Sequence, residues 1–225
     1  MNEFVLLALV VTGSVFSIIV LFDFDEKLAV QEDERVGRLI VVEGIEGSGK
    51  SELLDLMKDV MPSNWAYTKE PYYFSSNTPK KRWTKENYQL DRECHVQDKI
   101  LPLLEQHKVI ITNRYWMSGC VYDGWDSEAF MTYWPEPDLI IWLDCEPDEE
   151  HSQRVGVPLD ELKARSVSYK QFFSKLRKET LLPVKTVNST NLNSEDVLEQ
   201  IMSVLEPLSN VPIEQKQTND TPIAA

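Results

Sequence analysis

A chain of 225 residues with 42% apolar content has room for one packed domain with extensions and is crowded for two. Its net charge of −14, with no basic run longer than Lys80-Lys81-Arg82, excludes a protein that coats nucleic acid, because backbone binding there needs clustered Lys and Arg. Cys94, Cys120 and Cys145 are odd in number, far apart and without a C-x-x-C pair, and His95, His107 and His151 are equally scattered. Neither a disulfide framework nor a zinc site is indicated, and a reducing compartment is the simplest inference.

The first element in chain order is Phe4–Phe22, 19 consecutive residues without a charge. As a helix it would be about 28 Å long, enough for a bilayer core. A signal peptide would carry a cationic n-region and a transit peptide would be Arg-rich, whereas Glu3 precedes the segment and six carboxylates follow between Asp23 and Glu34. A misassigned start is a further reading, but the next methionine, Met57, lies beyond the glycine loop described below. The segment therefore reads as a membrane anchor, followed by an acidic linker over 23–37. Lys27, Arg35 and Arg38 all lie after it, which turns the globular part toward the cytoplasm.

The core begins at Arg38. Branched residues Leu39–Val42 read as a buried strand, and they run directly into Gly44-Ile45-Glu46-Gly47-Ser48-Gly49-Lys50-Ser51 and then into a helix carrying Leu53, Leu54 and Met57. Strand, G-x-x-x-x-G-K-[ST] loop and helix in that order make a phosphate cradle. The glycines let successive N–H groups face phosphate oxygens, and the helix adds the positive end of its dipole. Lys50 is placed to lie along the β- and γ-phosphates of ATP, and the Ser51 hydroxyl on Mg²⁺.

Beyond the loop, Trp65–Thr68 reads as a strand ending at Lys69-Glu70-Pro71, and Tyr72–Lys81 as a loop. Thr84–Gln106 reads as a helix that Pro102 should end or bend. Val109–Thr112, Leu139–Leu143 and the weaker Val184–Val187 read as further strands. Ser194–Leu205 reads as a closing helix stopped by Pro207, and 209–225 as a polar, disordered tail. Short branched strands alternating with helices predict a parallel sheet of about five strands covered by helices on both faces. Ligands in such sheets bind beyond the carboxyl ends of the strands, where Glu46–Ser51, Glu70, Asn113–Tyr115 and Cys145–Asp148 fall.

The succession EGIEGSGKS, KEP, YQLDRECHVQDKILPLL, NRYWMSGCVYDG and PDLIIWLDCEPDEE resembles the thymidylate kinase family over about Arg38 to Leu208, most closely from Tyr88 to Gly124. The resemblance implies a three-layer P-loop fold over 38–208. It also implies Mg²⁺-assisted transfer of a phosphoryl group from ATP to a deoxynucleoside monophosphate, dTMP to dTDP, by a homodimer with no nucleic-acid polymer as partner. By the same resemblance Glu46 lies near the acceptor's sugar and phosphate, Lys69 and Arg114 on its phosphate, Tyr88 against the pyrimidine and Arg92 at the base edge. Ser118 and Tyr122 fall beside the sugar.

Two positions depart from the family pattern. Asn113 stands in place of an aspartate at the metal site, and the loop has Gly47 where some members carry an arginine. The resemblance then requires a lid arginine from His151–Ser168, with Arg154 favoured and Arg165 second. A deoxynucleoside or other deoxynucleotide kinase, or a membrane-tethered nucleotide-binding module with impaired catalysis, stay open as alternatives.

Overall fold

The computed structural model describes residues 37–73, 83–106 and 108–209. The expected anchor Phe4–Phe22, the linker up to Val36, the loop beyond Tyr73 with Lys80-Lys81-Arg82, and the tail beyond Ser209 lie outside the described residues. Among the described residues no helix is long and apolar enough to cross a membrane.

Five strands, β1 (Arg38–Glu43), β2 (Trp65–Lys69), β3 (Val109–Asn113), β4 (Leu139–Asp144) and β5 (Val184–Asn188), form one parallel sheet in the order β2-β3-β1-β4-β5. β1 is central, so both its faces must be covered, which is why it is apolar at successive positions rather than alternating. On one face Leu39, Val41, Ile110, Ile140 and Trp142 pack against Tyr169 and Phe173 of helix α7 (Leu159–Glu179) and Trp116 and Met117 of α4 (Trp116–Asp123). On the other, Ile40, Val42, Ile111 and Ile141 meet Leu53 and Met57 of α1 (Lys50–Val60) and Ile201 and Leu205 of α8 (Ser194–Ser209).

Phe173 is fully buried and stacks on Trp142 at 4.7 Å between centroids. Phe173→Ala should cost about 3–5 kcal/mol through lost burial and a cavity. Denaturant titration should therefore show a lower midpoint with an unchanged slope.

The helix expected over Thr84–Gln106 is α2 (Lys85–His95), a π-helical turn (Val96–Ile100) and α3 (Leu101–Glu105). Pro102 has no N–H and its ring would strike the carbonyl one turn back, and the widened turn absorbs the mismatch without ending the helix. Pro207 does not stop α8 either, since the helix runs to Ser209. The stretch read as a lid is two helices, α6 (Glu149–Val155) and the start of α7, joined through Gly156 in the left-handed conformation. Helix α5 (Ser127–Tyr133) completes the helices among the described residues.

Candidate active site

The carboxyl ends of β1, β2 and β3 and the helices α2, α4 and α7 enclose a cavity of about 720 Å³. At its floor the loop leaves β1 through Gly44, whose φ of 149° and close approach admit no side chain: a Cβ there would lie 2.6 Å from the Leu143 carbonyl oxygen. Gly49 caps α1 with no side-chain hydrogen bond, so the first N–H groups of the helix are left for a ligand.

Lys50 is buried and donates to the carbonyls of Gly44 (2.9 Å) and Ile45 (2.5 Å) and to Ser48 Oγ (3.2 Å). Burial, and then the charge of Arg114, pull its amine down to about 7, against the opposing pull of Glu43 and Glu46. Polyphosphate brings negative charge against this amine and restores its proton. Nucleotide binding above pH 7 should therefore take up about one proton, and the uptake should fade as the pH drops below 7. Calorimetry at pH 8 in buffers of different ionisation enthalpy checks this; a buffer-independent heat contradicts it.

Asn113 ends β3, buried, with its amide Nδ2 3.2 Å from Ser51 Oγ. Arg114 follows with φ 74°, a left-handed conformation that a non-glycine residue holds only where its surroundings impose it. Its N–H is tied to the Val42 carbonyl at 2.9 Å, and its NH1 donates to Ser118 Oγ (3.0 Å) and Tyr169 OH (3.2 Å). Burial works against its charge, but Tyr122, Tyr169, Glu46 and Glu43 outweigh that and hold its pKa well above the ordinary value. Ser118 and Tyr122, one turn apart on α4, face the same space.

Glu46 is where the positive groups meet. Its carboxylate lies 2.8 Å from Arg165 and 3.5 Å from Arg114, and accepts a hydrogen bond from Tyr122 OH at 3.0 Å. Burial acts to raise its pKa, and the guanidinium groups of Arg114 and Arg165 overcome that and lower it. Both guanidinium groups also lie over the Tyr122 ring, at 5.1 and 5.2 Å from its centroid.

The far wall carries Tyr88 and Arg92. Arg92 is buried between two carboxylates, Glu70 on its Nε and Asp123 on its NH1, each at 3.1 Å, and its guanidinium is 5.9 Å from the Tyr88 ring centroid. Gly119 leaves room for it, since a Cβ there would sit 3.0 Å from NH1. Asp91 accepts the backbone N–H groups of Tyr72 and Tyr73, each at 2.7 Å, and so fixes the turn after Glu70-Pro71. Lys69 reaches the rim, exposed.

Of the residues picked out in the sequence, Glu46, Gly47, Gly49, Lys50 and Ser51 of the loop, with Lys69, Tyr88, Arg92, Asn113, Arg114, Ser118, Tyr122 and Arg165, come together around this cavity, while Gly44 and Ser48 lie beneath its lining. Arg154 does not line it: exposed on α6, it donates to the Gly47 carbonyl at 3.2 Å from outside the loop. Glu43, Tyr169 and Asp123 were not picked out. Glu43 is fully buried and accepts from the N–H groups of Tyr115 and Ser118, from Ser118 Oγ and from Tyr169 OH (2.8 Å). Burial raises its pKa, with Arg114 opposing. An acid ending an otherwise apolar strand was its signal; Tyr169 shows itself only through the four-residue spacing Arg165, Tyr169, Phe173 on α7.

The family model for thymidylate kinase matches residues 42–201. A probable thymidylate kinase of Staphylothermus marinus is 30% identical over 143 residues, covering 55% of this chain and 71% of the relative. A thymidylate kinase of Ligilactobacillus salivarius is 25% identical over 203 residues, covering 75% and 97%. The thymidylate kinase structure from Candida albicans shares the fold, with a TM-score of 0.57 at 24% identity over 79% of this chain and 94% of that one. With the family's model spanning most of the chain and its cavity formed at the end of the same parallel sheet, the chain belongs to the thymidylate kinase family.

Proposed function

We propose that the protein transfers the γ-phosphoryl group of ATP to the 5′-phosphate of dTMP, giving ADP and dTDP. The family carries the reaction class, a nucleoside monophosphate kinase using ATP. The observation that carries the site is the convergence of Lys50, Lys69, Arg114 and Arg165 on one cavity in a chain of net charge −14. Phosphoryl transfer asks for positioning and charge neutralisation more than covalent chemistry, and two polyanions must be brought end to end.

In this reading the loop N–H groups and Lys50 hold the β- and γ-phosphates. The dianionic acceptor phosphate competes with the Glu46 carboxylate for Arg114 and draws it, together with Lys69, onto its own oxygens. An acceptor oxygen then attacks the γ-phosphorus in line, the bond to the β-bridging oxygen breaks, and ADP leaves with that electron pair. Arg165, one residue pair away at Glu46, is the group placed to follow the charge as it spreads over the transferring phosphoryl. Tyr88 takes the pyrimidine face and Arg92 its edge, while Ser118 and Tyr122 border the sugar.

Ser51 Oγ and the neighbouring Asn113 amide are oxygen-bearing groups of the kind Mg²⁺ accepts, and they stand at the mouth of the phosphate cradle. When bound, Mg²⁺ neutralises phosphate charge; Ser51 would be its ligand and Asn113 would orient Ser51. The reading also includes a cytosol-facing homodimer, which fractionation and sedimentation would test.

The test is steady-state turnover with ATP and a panel of acceptors. dTMP should give the highest kcat/KM, above dUMP, dCMP, dGMP and thymidine. Thymidine outrunning dTMP would replace this reading with a deoxynucleoside kinase.

A further inference from the structure

Four consecutive carbonyls of the loop are held from outside the phosphate cradle or along its flank. Lys50 takes those of Gly44 and Ile45, His151 Nε2 that of Glu46 at 2.6 Å, and Arg154 that of Gly47 at 3.2 Å. Two of the three holders are on α6, a helix that contributes nothing to the cavity lining. His151 is buried, and its backbone N–H is capped by Asp148 Oδ1 at 2.8 Å, so the ring enters from a fixed point.

The ring's orientation follows from its partners. A carbonyl only accepts, so Nε2 carries the proton toward Glu46. Nδ1 lies 3.6 Å from Sγ of the buried Cys145, whose thiol burial pushes to a higher pKa. The ring also fills the space beside position 47. At Gly47, φ 70°, a Cβ would lie 2.5 Å from His151 Nε2 and 2.5 Å from Val155 Cγ1. Gly47 and the α6 surface are a matched pair: the loop has no side chain there because a buried histidine occupies its place.

We propose that His151 is a positioning residue, acting through the Glu46 carbonyl to fix the crest of the loop from which the Glu46 carboxylate meets Arg114, Arg165 and Tyr122. The inference rests on the kinase reading of this cavity. Leucine at 151 keeps the volume and loses the bond; glutamine places an N–H near the position of Nε2, and asparagine falls short of it. His151→Leu should lower kcat about tenfold with the KM for ATP within about threefold, His151→Gln should recover to within about threefold of wild type, and His151→Asn should not. Because the effect runs through Glu46, adding His151→Leu to Glu46→Gln should cost less than about twofold more.

Wild-type kcat in His151→Leu overturns the inference, as does equal loss in the Gln and Asn variants or an undiminished tenfold loss in the Glu46→Gln background. If His151→Leu fails to fold, the Gln and Asn pair decides by the same criterion. A wild-type enzyme that transfers no phosphoryl group to any monophosphate overturns the kinase reading itself, which keeps the two failures apart.

Discussion

Lys50→Ala should abolish phosphoryl transfer, lowering turnover about 10³-fold or more, while leaving the fold intact. One preorganised cationic donor aimed at transition-state charge is worth about 3–4 kcal/mol, and a mobile ammonium bridging two phosphates does at least that. The melting temperature should stay within a few degrees of wild type or rise. Lys50 contributes little to folding: it is buried, its amine is pulled down to about 7, and its partners are the loop's own carbonyls and Ser48. A charged group held against its own desolvation is a stability cost retained for function. Comparable loss of activity and of melting temperature would instead mean that Lys50 is structural.

The second large effect separates two arginines that the sequence ranks with Arg154 first and Arg165 second. Arg165→Ala should lower kcat by about 10²–10³-fold, as expected for an arginine that meets charge developing on a transferring phosphoryl group. Arg154→Ala should cost less than about tenfold. Arg165 lines the cavity and pairs with Glu46 at 2.8 Å, whereas Arg154 is exposed and touches the loop from behind through the Gly47 carbonyl. Helix α7 brings Arg165 in: Leu162, Ser166, Tyr169 and Phe173 are buried along its inner face, and Arg165 stands beside them at the cavity edge. Equal effects of the two substitutions, measured with ATP and acceptor saturating, would contradict this assignment.

Sequence places Arg154 before Arg165 because a lid over His151–Ser168 favours the arginine near Gly156. As two helices, the same residues point in directions set by 3.6-residue periodicity, and Arg165 rather than Arg154 turns inward. The strands were easier to read. Leu39–Val42, Val109–Thr112 and Leu139–Leu143 are short runs of branched residues with no polar break, and a central parallel strand buried on both faces leaves no other pattern. Chain direction then places Glu46, Lys69 and Arg114 at one end of the sheet, because all parallel strands end there.

What stayed hidden depends on contacts between residues far apart in the chain. Tyr169 reaches Glu43 across 126 positions and His151 reaches Glu46 across 105, and neither partner carries a local signal of the other. Helix α4 was missed because its eight residues include Gly119 and are buried on more than one side, which erases the amphipathic period. Proline was over-read at Pro207, which lies in the last turn of α8, where few hydrogen bonds remain to be lost, whereas the distortion expected at Pro102 takes the form of a π-helical turn.

In the proposed reaction this cavity joins ATP to a thymidine monophosphate. Phosphorus NMR of the full chain mixed with ATP, Mg²⁺ and dTMP tests it most directly, because donor and acceptor phosphates are seen at once. The ATP γ-signal and the dTMP signal should fall together while the resonances of ADP and dTDP grow in equal amounts. Growth of free phosphate without dTDP, or unchanged spectra with a correctly folded protein, would contradict it.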